Sequence, residues 1–193
     1  MTTNEPHRPH LAVLIGSTRP GRAGRAVGEW VFEQASTRDD VSAELLDLAD
    51  FDLPLLAEAT VPGAAMGRYE NPQTQAWSAA VSRFDGFLWV TPEYNHSMPG
   101  AMKNAFDVLY PEWRYKTVGL IGYGASGGVR AVEHWRLSMA NAFLFPVRGQ
   151  LELSLFTDWG ADGFAPGDRR ATELGGLINQ VVELDSALVS LRS

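Results

Sequence analysis

The sequence contains no cysteine. That excludes a disulfide framework, a cysteine-ligated zinc site, an iron–sulfur cluster and a thiol nucleophile. No apolar run approaches the roughly 18 residues that a membrane-spanning helix needs. The first ten residues, Met1 to His10, carry no hydrophobic segment of the signal-peptide kind. Cationic excess is also missing, since 16 Lys and Arg stand against 23 Asp and Glu for a net charge of -7. Nucleic-acid and anionic-membrane binders depend on surplus Lys and Arg, so neither partner is expected. Histidine is scarce. His7 and His10 lie in the N-terminal leader, and His96 and His134 have no neighbour at ligand spacing, so no metal site is expected. No G-x-S-x-G elbow occurs, which argues against a serine hydrolase. These absences leave the expectation of a soluble protein of the cytoplasm.

What is present is a chain of 193 residues, the length of one domain. Residues 1–10 offer no apolar face to bury and read as a disordered leader, with a single domain over 11–193. From there apolar runs alternate with helical patterns. Leu11 to Ile15, Gly86 to Thr91 and Thr117 to Gly122 are short, continuously apolar runs, the signature of strands buried on both faces. Val41 to Leu48 and Val147 to Leu153 partly alternate apolar with polar residues and read as edge strands. Helices are predicted from about Gly24 to Thr37, Asn71 to Phe84, Pro99 to Val108, Gly128 to Ala142 and Arg170 to Leu191. Asn71-Pro72 is a capping side chain followed by proline in the first turn. Residues 49–70 are punctuated by Pro and Gly and read as a long loop. Five strands alternating with helices imply an α/β, three-layer sandwich around a parallel sheet. The order 2-1-3-4-5 puts the alternating strands at the edges. That is the flavodoxin-like arrangement, with ligands beyond the carboxyl ends of the strands.

Chemistry-bearing residues gather in three loops, one after each buried strand. The first, Gly16 to Gly24, combines glycines and hydroxyls with Arg19 and Arg22, and contains no acid. Backbone N–H groups at a helix start, hydroxyls and guanidinium groups are what a phosphate needs. Arg22 and Ala23 stand where a Walker A loop requires Lys and Ser/Thr, so an ATPase or GTPase is not indicated. The second, Thr91 to Gly100, is stiffened by prolines and carries Glu93, Tyr94 and Asn95. It can frame a planar ligand, or Asn95 and Ser97 can simply cap the next helix. The third, Gly122 to Gly128, formally matches G-x-G-x-x-G with Glu152 on the next strand, which leaves a dinucleotide-binding dehydrogenase open. Its glycines can instead admit an aromatic ring close to the backbone, with Ser126 as donor. The tryptophans read mainly as core, with Trp113 and Trp135 as candidate exceptions. Arg130 and Glu133 read as a helix-surface pair.

Three segments, GSTRPGR (Gly16 to Arg22), PEYNHSMPGAMKNAFD (Pro92 to Asp107) and YGASGGVRA (Tyr123 to Ala131), together resemble the NADPH-dependent FMN reductases, a flavodoxin-like family that includes quinone and azo-dye reductases. The resemblance covers about residues 11–180. It implies that Ser17, Arg19 and the backbone near Arg22, Ala23 and Gly24 hold the FMN phosphate. Pro92, Glu93, Tyr94 and Asn95 would line the isoalloxazine, and Ser126, Gly127 and Gly128 would meet its pyrimidine end. Many members carry Ser and Asn where this chain has Arg22 and Gly24. The resemblance further implies bound FMN, NADPH or NADH as co-substrate, and a small-molecule acceptor such as a quinone, azo compound, metal oxyanion or free flavin. It also implies self-association as a dimer or tetramer. The flavin carries the reaction in such a protein, so no catalytic side chain is nominated. A non-enzymatic electron carrier remains the alternative.

Overall fold

The structure, a computed structural model, describes residues 7–192. The elements are β1 (His10–Ile15), α1 (Gly24–Ser36), β2 (Ser42–Asp47), α2 (Pro62–Ala65), α3 (Pro72–Ser82), β3 (Gly86–Pro92), α4 (Gly100–Asp107), β4 (Thr117–Gly124), α5 (Val129–Asn141), β5 (Phe145–Ser154), β6 (Trp159–Gly160), β7 (Gly163–Phe164) and α6 (Asp168–Leu188). The main sheet has the order β2-β1-β3-β4-β5, and every pairing in it is parallel. The flavodoxin-like expectation therefore holds.

Sequence explains the layering. Residues Leu11 to Ile15 of β1 and every residue of β3 and β4 are buried, because helices cover both faces of these central strands. On one face Trp77, Trp89, Trp113, Trp135 and Phe106 form an aromatic core under α3, α4 and α5. On the other, Val27 and Val31 of α1 meet Leu174, Leu177, Ile178 and Val181 of α6 over Val13 and Val90. The Asn71 cap is present, with its side-chain oxygen accepting from the N–H groups of Gln73 and Thr74 while Pro72 opens the helix.

Several expectations need correction. Residues 1–6 of the expected leader lie outside the described residues, but 7–10 are built into the fold. His10 begins β1, the Arg8 guanidinium donates to the Val41 carbonyl, and His7 Nε2 lies 2.9 Å from Asp185 Oδ2. Polar side chains anchor this segment, so the absence of an apolar face was a poor guide. Trp113 and Trp135 are fully buried, with neither ring open to a ligand. Arg130 and Glu133 are not partners. Arg130 pairs with Glu93, and Glu133 lies 3.5 Å from Arg136. The last edge strand starts at Phe145, and a bulge in the β4–β5 pairing shifts register between Val118 and Leu120. The hairpin of β6 and β7 was not foreseen, because strands of two residues leave no periodic signal.

Candidate functional site

The three loops meet at the carboxyl edge of the sheet and are stitched together by main-chain bonds. Gly16 N–H donates to the Val90 carbonyl at 2.9 Å, joining the first loop to β3. Glu93 N–H donates to the Tyr123 carbonyl at 3.1 Å, joining the second loop to β4. The first and third loops meet through side chains, where Ser17 and Tyr123 converge on Gly24.

The first loop forms a cradle. Pro20-Gly21 makes a turn closed by the Arg22 N–H on the Arg19 carbonyl, which delivers the chain into α1. No side chain caps α1, so the N–H groups of its first turn remain suited to an anion. Ser17 is 1% exposed, and its hydroxyl has no hydrogen-bond partner among the described residues. A Cβ at Gly24 would lie 2.3 Å from Ser17 Oγ and 2.6 Å from the Tyr123 hydroxyl, so glycine is what lets these two hydroxyls pack against the start of α1. Burial pushes the Tyr123 phenol up to about 12, against the opposing charges of Arg19 and Arg22, so it stays a donor at neutral pH. The two arginines differ. Arg19 is exposed and donates to the neighbouring Pro20 carbonyl, whereas Arg22 is ion-paired with Asp47 at the end of β2. Asp47 also takes Arg25 at 3.2 Å. The structure thus brings Ser17, Ala23 and Gly24 into one cradle, keeps Arg19 exposed beside it and holds the Arg22 side chain on Asp47.

The second loop is held in a strained turn. Tyr94 and Ser97 exchange two backbone hydrogen bonds at 3.0 and 3.1 Å, while Asn95 and His96 adopt φ of 49° and 70°. Two consecutive positive φ values define the type I′ turn, a conformation in which Asn and His are over-represented among residues other than glycine. Neither Asn95 nor Ser97 caps α4, whose cap is Pro99. Ser97 Oγ instead lies 2.8 Å from His134 Nδ1 on α5. Pro92 is buried, and the Tyr94 ring is 37% exposed at the rim. Glu93 turns its carboxylate to α5, where Arg130 Nη1 donates to it at 2.6 Å.

In the third loop Gly127 and Gly128 have φ of 69° and 72°. A Cβ at Gly128 would lie 2.5 Å from the Tyr123 backbone nitrogen. The backbone alone therefore demands these glycines, whatever else they serve. Ser126 Oγ accepts from Arg130 Nη2 at 2.8 Å. Arg130 is thus the residue that sequence reasoning missed: one side chain ties Glu93 of the second loop to Ser126 of the third. Beside the first loop a cavity of about 540 Å³ opens between Thr18, Leu48, Phe51, Leu53, Gly100 and Asn104. Among the described residues no group of three or more His, Asp or Glu side chains could hold a metal, and no helix is long and apolar enough to cross a membrane.

Residues 9–158 match the family model of the NADPH-dependent FMN reductases. The chain belongs to that family. An NAD(P)H-dependent FMN reductase of Nectria sp. is 41% identical over 125 residues, which cover 63% of this chain and 62% of that protein. A quinone reductase of Pseudomonas putida is 34% identical over 139 residues, covering 67% of this chain and 68% of that one. The matched region spans less than two thirds of the Nectria protein and 60% of a Schizosaccharomyces pombe relative. Among solved structures, the flavoenzyme NAD(P)H:(acceptor) oxidoreductase FerB of Paracoccus denitrificans superposes with a TM-score of 0.67. It is 22% identical, with 93% of this chain and 98% of that one covered, so it supports the fold. Family membership argues against the alternative of a Rossmann-type dehydrogenase.

Proposed function

We propose that the chain is an FMN-dependent NAD(P)H oxidoreductase that passes reducing equivalents to a small-molecule acceptor such as a quinone, azo compound, metal oxyanion or free flavin. FMN, when bound, accepts hydride at N5 and gives up electrons one or two at a time. The observation that carries this reading is the cradle: a buried Ser17 hydroxyl without a hydrogen-bond partner among the described residues, packed with the Tyr123 hydroxyl over Gly24 at an uncapped helix start. These residues fit a phosphate. Ser17 and the α1 N–H groups donate to it, and Arg19 supplies charge from the rim. Backbone of Pro92 to Asn95 and of Ser126 to Gly128 borders the isoalloxazine, held in place by Arg130. The cavity at Thr18 and Asn104 gives a flat acceptor room next to the cradle.

The same reading places the reaction in the cytoplasm, where NAD(P)H is regenerated. It also makes the active species a homo-oligomer, because Leu55, Val61, Met66, Leu137 and Phe156 stand 80%, 67%, 65%, 77% and 79% exposed. The test is titration of the flavin-free protein with FMN and riboflavin, followed by anaerobic addition of NADPH and of NADH. Tight FMN binding with bleaching by a nicotinamide nucleotide is the expected result. No binding ends the proposal, and binding without bleaching by either nucleotide makes the protein an electron carrier instead.

A further inference from the structure

Four of the indoles touch in series through the core. The ring centroids of Trp135 and Trp89 lie 5.2 Å apart, those of Trp89 and Trp113 5.6 Å, and those of Trp113 and Trp77 6.4 Å. All four residues are at most 1% exposed. The first sits directly below the ring loops, since Trp135 Nε1 donates to Thr91 Oγ1 at 3.1 Å and Thr91 precedes Pro92. Phe106 stacks on Trp113 at 5.5 Å and meets Trp135 at 5.8 Å, so both routes from Trp135 converge on Trp113. At the far end stands a phenol with a base. Tyr69 donates its hydroxyl to Glu112 Oε2 at 2.8 Å. Glu112 precedes Trp113 in the chain and also accepts from Ser78, the neighbour of Trp77, at 2.6 Å.

An apolar core can be built from aliphatic residues and phenylalanine alone. Indoles and phenols differ in that they give up single electrons, and rings in contact exchange them quickly because transfer rates fall exponentially with separation. The partners of the four indole N–H groups are informative. Trp77 donates to the Ala105 carbonyl, Trp113 to the Phe106 carbonyl and Trp135 to a hydroxyl, while Trp89 Nε1 has no partner among the described residues. None of these takes a proton readily, so an oxidised indole here keeps its proton and its positive charge stays mobile. Tyr69, by contrast, faces a carboxylate. Burial and the charge of Glu112 push the phenol pKa up, so electron and proton must leave together.

We infer that Trp135, Trp89 and Trp113, with Trp77 alongside, form a hole-transfer chain that carries oxidising equivalents from the flavin site to the Tyr69–Glu112 pair. The entry point rests on the flavin reading above. Trp135 would give one electron to a photoexcited flavin held at the site, leaving that flavin reduced by one electron until dioxygen reoxidises it. An electron from Trp89 refills Trp135, and one from Trp113 refills Trp89. Tyr69 then gives an electron to Trp113 and its phenol proton to Glu112, leaving a neutral phenoxyl radical and a neutral carboxyl group. A soluble thiolate returns the electron, becoming a thiyl radical, and Glu112 returns the proton. A chain without cysteine has no thiol of its own to intercept such an oxidant.

Two measurements test this. In the flavin-free protein, ultraviolet photoionisation creates indole radicals directly, and transient absorption with electron paramagnetic resonance follows them. The indole signal should decay as a phenoxyl signal grows. Tyr69→Phe, which removes only a hydroxyl, should abolish that growth, and Trp113→Phe should do the same. Glu112→Gln should slow it and remove its solvent isotope effect. Phenoxyl growth unchanged in Tyr69→Phe, with the other tyrosines as its source, overturns the inference, as does absence of growth in the parent protein. In the FMN-loaded protein, flavin excitation should produce an indole radical that is lost in Trp135→Phe. An FMN complex giving no indole radical refutes the entry at Trp135. Failure to bind FMN refutes the proposed function alone, because the flavin-free measurement still decides the chain.

Discussion

The Glu93 carboxylate is gripped twice by Arg130: Oε2 accepts the Arg130 backbone N–H at 3.1 Å, and Oε1 accepts Nη1 at 2.6 Å. The first contact places an anion on the opening turn of α5, where the helix dipole favours it. The second locks the loop after β3 to the loop after β4. Arg130→Ala leaves the Glu93 side chain, 9% exposed, without its cation. The expected cost is about 1–2 kcal/mol of stability, at the lower end for a charged hydrogen bond because the arginine itself is partly solvated. Urea unfolding reads that cost. FMN affinity should fall as well, since the ring loops lose their common tie. Unchanged affinity would show that the loops hold their spacing without Arg130.

Ser17 and Gly24 give a test in which stability and binding move in opposite directions. A buried hydroxyl without a partner contributes nothing to the flavin-free fold, so Ser17→Ala should leave stability unchanged or raise it by up to about 1 kcal/mol. FMN affinity should drop by about 1.5–3 kcal/mol, the range for a hydrogen bond to a charged group. Calorimetry on the same variant with FMN and without it gives both numbers. Loss of stability without loss of affinity would make Ser17 a structural residue.

The two arginines of the first loop should separate cleanly. Arg19→Ala is expected to weaken FMN by about 1.5–3 kcal/mol and to leave riboflavin, which lacks the phosphate, almost unaffected. Arg22→Ala should act on stability instead, because it strips a cation from Asp47, a residue 4% exposed that retains only Arg25. Equal losses for FMN and riboflavin in Arg19→Ala would place that side chain away from the phosphate.

The central strands and the three loops were legible in the sequence for physical reasons. A strand buried on both faces must be apolar throughout, and a loop that receives a ligand needs glycine, proline and hydroxyls at fixed offsets from it. What escaped was set by tertiary contact. Nothing in the sequence says that Arg130 reaches back 37 positions to Glu93 rather than along its own helix to Glu133. Arg22 looked like a phosphate ligand because the loop holds no acid, but its partner Asp47 arrives from the next strand. The Gly127 and Gly128 backbone is likewise closed to inspection by sequence. Their positive φ and the Cβ contact of 2.5 Å at Gly128 make either glycine a poor place to separate binding from folding.

Lys116 offers a test of the fold at the opposite end of the sheet. Its ammonium group donates to the Val81 carbonyl at 3.0 Å and lies over the Phe87 ring, and the residue is 7% exposed. Burial lowers its pKa from 10.5 to about 8. Arg192 acts in the same sense, and Asp85 and Glu112 oppose. Between those two values the unfolded chain holds a proton that the folded chain has released. Unfolding free energy therefore rises with pH across that interval: the cost of burying the charge is fully present below about pH 8 and gone above about pH 10.5. Tyr69 and Tyr123, whose pKa values are raised by burial, begin to act in the opposite direction as the unfolded phenols ionise near 10. The useful window is thus roughly pH 8 to 9.5, where Lys116 should add about 1.5 kcal/mol. Urea unfolding at both ends of that window should show the rise in the parent protein and its loss in Lys116→Met. A parent protein whose stability is flat or falling there would mean that the ammonium stays charged, reaching water or a carboxylate that the packing around Val81 and Phe87 does not provide.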